Sequence, residues 1–298
     1  MNDMVIETTS LVKRFGKKVA VDNINLEVPE GSVFGFLGRN GAGKTTTIKM
    51  LIGLLESSSG SASVLGLDPK RDDVQIKRRV GYVAENQKMY DWMTIGEIMR
   101  FTGSFYPTWD NDLADELCKR LELSKKDKLK NLSRGMYGKV ALLLAMAHNP
   151  ELLILDDATS GLDVVVRRDF MEGIIDLIHK GGKTVFFSSH MIDEVEGVAD
   201  WVGIIDQGKL IVAARMDDLK ASIRQIRMIF ENNPPQEIKI NGMLQVKIDG
   251  HEALVTVKDF RENILKTMNE KYSPKSIDII NLSLEDIFVA LVGKKSNE

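Results

Sequence analysis

The sequence predicts an α/β fold, in which a mainly parallel sheet carries a phosphate-binding loop and a small C-terminal α+β domain follows. An apolar run, a glycine-rich loop and a helix-like segment succeed one another between residues 32 and 55. From about residue 150 to residue 216, strand-like and helix-like stretches alternate, which is typical of a parallel sheet. From about residue 220 the pattern changes to short strands linked by turns and followed by helical segments.

The glycine-rich loop fits the pattern G-x-x-x-x-G-K-[ST] without a mismatch. The following segment, from Thr45 to Leu55, is predicted to be a helix, whose first N–H groups and dipole favour an anion. We expect Lys44 to reach the β- and γ-phosphates of a nucleotide and the Thr45 hydroxyl to bind Mg²⁺. The residues expected to hold the nucleotide are Gly38, Arg39, Asn40, Gly41, Ala42, Gly43, Lys44, Thr45 and Thr46.

Length and composition are those of an ordinary globular protein of about two domains, since 43% of the 298 residues are hydrophobic and 28% are charged. A net charge of −3 gives no reason to expect a nucleic-acid partner. The single cysteine, Cys118, excludes an internal disulfide and suits a reducing compartment. No signal peptide is apparent, and the longest apolar run, 140–147, is far shorter than the roughly 18 residues of a membrane span. We therefore expect a soluble or peripheral protein, whose membrane function needs a partner chain.

The change of pattern places the domain boundary after residue 219, so that the predicted domains are 1–219 and 220–298. Within the first domain, residues 88–147 are predicted to form a helical subdomain, in which Thr94 and Glu97 make a capping box. The later predicted elements are, in order, a strand 152–157, a helix Val164–Lys180, a strand 184–189, a helix 191–200, a hairpin 201–214, a helix near Asp259–Tyr272, a strand near 277–280 and a last helix at 284–293.

Three side chains beside strand ends are candidates for the chemistry. Asp156 lies at the end of the apolar strand, where its carboxylate can reach Mg²⁺ through a water molecule. Asp157 follows directly, in the position of a general base that would polarise the attacking water. His190 follows the next predicted strand and can contact the γ-phosphate and that water. The other histidines, His148, His179 and His251, fit no pattern and are expected to be surface or packing residues.

The segment 132–136, with the sequence LSRGM, opens a long apolar helix, and Ser133 alone would be an ordinary N-cap. Together with the phosphate loop, Asp156, Asp157 and His190, this segment resembles the signature of the ATP-binding subunit of an ATP-binding cassette (ABC) transporter. The resemblance covers residues 4 to about 216, and the elements stand in the order and spacing of that family.

The resemblance implies an ATPase that works as a sandwich dimer. ATP and Mg²⁺ would lie between the phosphate loop of one subunit and the signature of the other. Ser133 and Gly135 would then contact the γ-phosphate in the partner's site, and Asp163 would cross the dimer interface. Phe15 matches the aromatic residue that stacks on adenine in this family.

The sequence departs from the family pattern at several functional positions. Asp157 stands where glutamate is usual, and its shorter side chain implies a slow hydrolytic site. Arg134 and Met136 replace a glycine and the glutamine of the signature. Glu85 stands where the family has a glutamine near the nucleotide. We expect Glu85 to contact the nucleotide and Mg²⁺, while Gln87 remains the open alternative.

A second ABC subunit and a separate membrane permease are the partners that the resemblance implies. The stretch 105–110, the altered signature and the tail 282–293 resemble bacterial ABC-2-type, exporter-like ATPases, which work on the cytoplasmic face of the cell membrane. The second subunit is either a copy of this chain or a paralogue. Tyr90 and Trp92, with Met93, are candidates for the contact with the permease, or they pack within the helical subdomain.

Two questions stay open at the level of sequence. The alternative function is a non-transport ABC ATPase with a regulatory, translation or DNA-maintenance role, although such proteins usually carry two cassettes or long coiled coils. The segment 220–298 would regulate, dimerise, or cover a sheet edge.

Overall fold

A computed structural model describes residues 3–160, 167, 171, 182–235 and 237–293 of the chain. The chain divides into two compact units, residues 1–213 and 214–298. The division comes before the predicted boundary at residue 219, and the helix Met216–Ser222 belongs to the second unit. The sequence did not signal this point, because no glycine or proline separates that helix from the preceding strand.

The first unit contains two sheets and several helices. Its strands are β1 (Met4–Phe15), β2 (Lys18–Ile24), β3 (Glu27–Pro29), β4 (Val33–Leu37), β5 (Ser59–Val64), β6 (Val80–Val83), β7 (Leu152–Asp156), β8 (Thr184–Ser189), β9 (Trp201–Asp206) and β10 (Lys209–Arg215). Its helices within the described residues are α1 (Lys44–Leu51), α2 (Asp73–Arg79), α3 (Ile95–Gly103), α4 (Asn111–Arg120), α5 (Arg134–Met146) and α6 (Ile192–Val198), and Leu129–Asn131 form a 3₁₀ turn.

The central sheet has the strand order β10-β9-β4-β8-β7-β6. Neighbouring pairs from β9 to β6 are parallel, which confirms the mainly parallel sheet expected from the sequence. Every residue of β4, β7 and β8 is buried, as is usual for central strands of a parallel sheet. The carboxyl ends of these three strands therefore meet at one edge of the sheet, and that edge carries the candidate site.

A second, antiparallel sheet pairs β1 with β2, β3 and β5. One core cluster joins side chains of this sheet to helix α1 and to the central sheet. Phe34, Phe36 and Phe186 lie at its centre, and Phe186 packs against the other two rings at centroid distances of 5.6 and 5.4 Å. Helix α1 and the loop before it are thus anchored on a rigid base.

The helical part of the first unit has the predicted capping box at the start of α3. The Thr94 side chain accepts a hydrogen bond from the Glu97 N–H, and the Glu97 carboxylate accepts one from the Thr94 N–H. Cys118 is buried in α4, and burial raises the pKa of its thiol. The predicted helix Val164–Lys180 lies outside the described residues, apart from Arg167 and Met171.

The second unit is an α+β domain, as expected. Its elements are α7 (Met216–Ser222), β11 (Arg224–Ile229), β12 (Met243–Asp249), β13 (Glu252–Val257), α8 (Asn263–Tyr272), β14 (Ser276–Asn281) and α9 (Leu284–Val292). The strands form an antiparallel sheet in the order β12-β13-β11-β14. Helix α8 begins at Asn263 rather than near Asp259, because Asp259 has a φ of 55°, which a right-handed helix cannot include.

His148 is a packing residue in the first unit. It is buried against Tyr106, and the two rings stack with their centroids 4.1 Å apart. Neither ring nitrogen has a hydrogen bond of good geometry among the described residues, although the backbone of Val80 and Leu144 lies close enough to oppose part of the effect of burial on its pKa. Burial lowers the pKa of His148 from 6.5 to about 4.

We expect this histidine to make the fold sensitive to acid. The unfolded chain takes up the proton near pH 6.5 but the folded chain only near pH 4, so stability falls as the pH drops through this range. The loss in the free energy of unfolding is about 3 kcal/mol between about pH 7 and about pH 4. His148→Phe keeps a stacked ring without a titrating group. Urea unfolding at both pH values should therefore show a correspondingly smaller loss in this variant, and an unchanged loss would contradict the assignment.

Candidate nucleotide-binding site

The phosphate loop joins the end of β4 to the start of α1 at the edge of the central sheet. Helix α1 begins at Lys44, and Gly43 precedes it with a φ of 113°. A Cβ atom on Gly43 would lie 2.7 Å from the carbonyl oxygen of Ala20, so that only glycine fits this position. The loop is closed by two backbone hydrogen bonds, from the Ala42 N–H to the Arg39 carbonyl at 3.0 Å and from the Gly208 N–H to the Ala42 carbonyl at 2.8 Å.

The Lys44 side chain is buried within the loop, and only 6% of the residue is exposed. Its ammonium donates hydrogen bonds to the carbonyl oxygens of Gly38 at 2.8 Å and Arg39 at 3.4 Å. Burial lowers the pKa of Lys44, while the carboxylates of Asp157, Asp156 and Glu85 oppose this shift. A cation surrounded by backbone at a helix N-terminus is suited to binding phosphate.

Asp156, at the end of β7, lies against the start of α1 and the end of β8. Its Oδ1 accepts hydrogen bonds from the Thr45 hydroxyl at 3.0 Å and from the Ser188 hydroxyl at 2.9 Å. Burial raises the pKa of Asp156, whereas these two hydrogen bonds lower it. The arrangement brings a hydroxyl oxygen and a carboxylate oxygen together beside the phosphate loop.

These oxygen donors fit Mg²⁺, which prefers hard oxygen ligands. No group of three or more His, Cys, Asp or Glu side chains that could hold a metal ion occurs within the described residues. Such a cluster is not needed here, because Mg²⁺ usually takes one or two protein carboxylates and completes its shell with substrate phosphates and water.

Asp157 and His190 form a pair beside Asp156. The Nδ1 atom of His190 lies 3.0 Å from Oδ1 and 3.2 Å from Oδ2 of Asp157. Asp157 has a φ of 49°, in the left-handed region, which aspartate tolerates better than most residues. Its N–H donates to the carbonyl and the hydroxyl of Ser188, at 3.2 and 3.0 Å, and so holds this conformation.

A cavity of about 370 Å³ opens beside the phosphate loop. Phe15 contributes a half-exposed ring to its wall, and Glu85 and Asp157 also line it. Gln87 does not line this cavity. Its side-chain oxygen accepts a hydrogen bond from the Ala84 N–H at 3.3 Å. Of the two sequence alternatives, the structure therefore brings Glu85 to the phosphate loop.

The signature residues stand apart from this cavity. Ser133 and Gly135 do not line it, and the Ser133 hydroxyl accepts a hydrogen bond from the Met136 N–H at 3.2 Å as the N-cap of α5. Both the local N-cap interpretation and a role toward a second subunit are compatible with this geometry. Asp163 lies outside the described residues.

Two residues of the site were missed by the sequence analysis. Ser188 bonds both Asp156 and Asp157, as described above. Glu194, on α6, accepts hydrogen bonds from Thr159 at 2.9 Å and Ser189 at 2.6 Å, and forms a largely buried ion pair with Arg167 at 3.0 Å. Glu194 thereby connects the segment after Asp157 with the segment that carries His190. A carboxylate four positions after His190 was the only available signal.

The fold and the site define a phosphate-loop nucleotide-hydrolase domain. The family model described as ABC transporter matches residues 21–160. The bacitracin transport ATP-binding protein BcrA of Bacillus licheniformis is 32% identical over 97% of both chains. The probable multidrug ABC transporter ATP-binding protein YbhF of Escherichia coli is 36% identical over 74% of this chain and 38% of its own length. This chain belongs to the family of ABC transporter ATP-binding proteins, whose members bind and hydrolyse ATP.

Solved structures share the fold of this chain. The structure of an ATP-binding subunit of an ABC transporter superposes with a TM-score of 0.66 and 25% identity, covering 73% of this chain and 92% of that chain. The structure of cbiO1 from Clostridium perfringens superposes with a TM-score of 0.65 and 24% identity, covering 74% of this chain and 91% of its own.

Among the described residues, no helix has both the length and the hydropathy to cross a membrane.

Proposed function

We propose that this chain is the ATP-hydrolysing subunit of an exporter and powers a separate membrane permease from the cytoplasmic face of the membrane. The observation that carries the proposal is the contact of Asp156 with Thr45 beside the buried Lys44, with the Asp157–His190 pair next to it. The full-length similarity to a bacitracin transport ATP-binding protein supports a role in transport.

Each residue of the site has a proposed role. Phe15 stacks on the adenine, and the loop residues with Lys44 hold the phosphates. Thr45, Asp156 and Glu85 hold Mg²⁺, which supplies charge neutralisation to the phosphates when bound. Asp157 accepts a proton from the attacking water, and His190 orients Asp157 through the hydrogen bond described above.

We propose that hydrolysis at this site is slow. Asp157 is one methylene shorter than the usual glutamate, so its carboxylate stops about 1 Å or more from the position that activates water best. Nucleotide binding does not need this group and is unaffected. A slow site is compatible with a second subunit that completes the site through its own Ser133, Gly135 and Asp163 positions, whether that subunit is a copy of this chain or a paralogue.

The proposed permease contact is an aromatic cluster on the helical part of the first unit. Tyr90, Trp92, Phe101 and Phe105 are 51%, 68%, 39% and 62% exposed, although their rings touch one another at centroid distances of 5.9, 5.4 and 5.1 Å. Large exposed aromatic groups of this kind are typical of protein interfaces. Met93 fits the other alternative, packing within the helical subdomain, because only 8% of it is exposed.

A double variant tests this contact. Trp92→Ala with Phe105→Ala should weaken binding to native membranes from the source organism about tenfold, because aromatic anchors dominate such interfaces. Val74→Ala, which removes another exposed apolar side chain from the same unit, is the matched control. Sedimentation with membranes gives the affinity, and unchanged ATP binding shows that the fold is intact. Equal sedimentation of the double variant and the control would refute the proposed docking surface.

A further inference from the structure

The second unit contains a cavity of about 700 Å³, compared with about 370 Å³ beside the phosphate loop. It lies between the turn 239–242, the turn that follows β13, and one side of helix α8. Cavities of this size are typical of sites for small organic ligands. The assigned ATPase chemistry uses no residue of this cavity.

The floor of the cavity is apolar and well fixed. Met268 is fully buried, and Ile240, Ile264 and Tyr272 are half-buried beside it. The Tyr272 hydroxyl accepts a hydrogen bond from the Lys239 N–H at 2.8 Å and donates one to the Lys239 carbonyl at 3.0 Å. These two hydrogen bonds hold the turn against the helix. The cavity wall is therefore already ordered, and a ligand would not have to order it on binding.

The rim of the cavity is strongly basic. Lys239, Lys258, Arg261 and Lys271 line it, and Asp259 is the one acidic residue among the lining residues, while Lys239 also forms an ion pair with Glu237. Among the described residues, Lys258 and Arg261 form no ion pair with an acidic side chain. The whole chain carries a net charge of −3, so this local excess of positive charge runs against its composition. An ordinary solvated surface also carries lysines, but it does not place them around a preformed cavity.

We propose that this cavity binds a phosphate ester with an apolar organic part. Lysine and arginine side chains at the rim would hold the phosphate, and the isoleucine, methionine and tyrosine floor would cover the apolar part. The same chemistry is offered by a soluble phosphate monoester and by the headgroup region of an anionic phospholipid. The test below separates these two sources.

Phenyl phosphate is a suitable probe, because it joins a phosphate to a small apolar ring. Amide NMR signals of the full chain report the place of binding, and signals of Gly242 and Thr267 should shift on titration. Signals of Gly41 and Gly43 report the phosphate loop separately. Phenol, which lacks the phosphate, should not shift Gly242 or Thr267 at the same concentrations. Equal shifts with phenol, or phenyl phosphate shifts at the phosphate loop alone, would overturn the proposal.

Two variants should change the affinity in opposite directions. Lys258→Ala with Arg261→Ala should weaken phenyl phosphate binding about tenfold, since two charge-assisted contacts are lost. Asp259→Asn should tighten binding a few-fold by removing the repelling carboxylate, and asparagine tolerates the φ of 55° at this position. Lys266→Ala is the matched control, because Lys266 is an exposed lysine on helix α8 that does not line the cavity. If the control loses as much affinity as the double variant, or Asp259→Asn changes nothing, the proposal is wrong.

Vesicles separate the two sources of the ligand. Mixed vesicles of phosphatidylcholine and phosphatidylglycerol are compared with phosphatidylcholine alone in a sedimentation assay. Sedimentation with the anionic vesicles only, lost in the Lys258→Ala and Arg261→Ala double variant, assigns a lipid headgroup. Binding of phenyl phosphate without such sedimentation assigns a soluble phosphate ester. Absence of both kinds of binding overturns the site.

Discussion

Replacing Asp157 with glutamate is expected to raise the rate of ATP turnover by about 100-fold. A displacement of about 1 Å from the productive position can cost a catalytic group this much, and the longer side chain would recover that distance. The affinity for ATP should stay unchanged, because the carboxylate acts on water rather than on the bound nucleotide. Steady-state phosphate release at saturating Mg-ATP measures the effect directly.

The backbone conformation at Asp157 determines how much stability this substitution costs. Asp157 has a φ of 49°, where glutamate is less well tolerated, so we expect a loss of about 1 kcal/mol in the free energy of unfolding. Asp157→Asn is the control, since it tolerates the same backbone but cannot accept a proton, and its turnover should fall below that of the wild type. If Asp157→Glu turns over ATP no faster than the wild type, the length of this side chain is not what limits hydrolysis.

Replacing Lys44 with alanine should lower the affinity for ATP by about 100-fold. The Lys44 ammonium lies inside the phosphate loop, where only 6% of the residue is exposed, so its contacts with phosphate would be shielded from water. Two charge-assisted hydrogen bonds of this kind contribute about 3 kcal/mol. Titration with a fluorescent ATP analogue gives the dissociation constant.

The control for this change is Lys49→Ala. Lys49 lies on the same helix but is exposed and does not line the cavity beside the phosphate loop, so its removal should leave ATP affinity nearly unchanged. Retained affinity in Lys44→Ala would show that Lys44 does not hold the nucleotide, and an equal loss in both variants would show that general charge rather than the loop geometry holds it.

Much of the site was predictable because it is encoded in short, contiguous segments. The phosphate loop lies between a buried strand and a helix as expected, and the helix begins one residue before the expected Thr45 but ends at Leu51 rather than at the expected Leu55. Asp156 ends a strand that is otherwise apolar, and Asp157 follows it directly. The mainly parallel sheet was predicted from the alternation of strands and helices, because this pattern is typical of α/β folds.

Contacts between distant segments were not predictable. Ser188 reaches Asp156 across 32 positions, and Glu194 reaches Thr159 across 35, so no local pattern marks either residue. The sequence left open whether Met93 is exposed or packs within the helical subdomain, because a turn has no periodicity that separates a buried from an exposed face, and in the structure only 8% of Met93 is exposed. The basic cavity of the second unit likewise depends on a contact between distant segments, because the Lys239 N–H donates a hydrogen bond to the Tyr272 hydroxyl. The roles of all the site residues stay predictions, those of Lys44, Asp157 and His190 as much as those of Phe15, Glu85, Ser133, Gly135 and Asp163.

Phosphate release from Mg-ATP, measured side by side for the wild type and Lys44→Ala, tests the central claim most directly. The claim is that this chain hydrolyses ATP at the site formed by the phosphate loop, Asp156 and Asp157. We expect slow but measurable release by the wild type and none above background by the variant. No release by the wild type in the presence of native membranes, or equal release by both proteins, would contradict it.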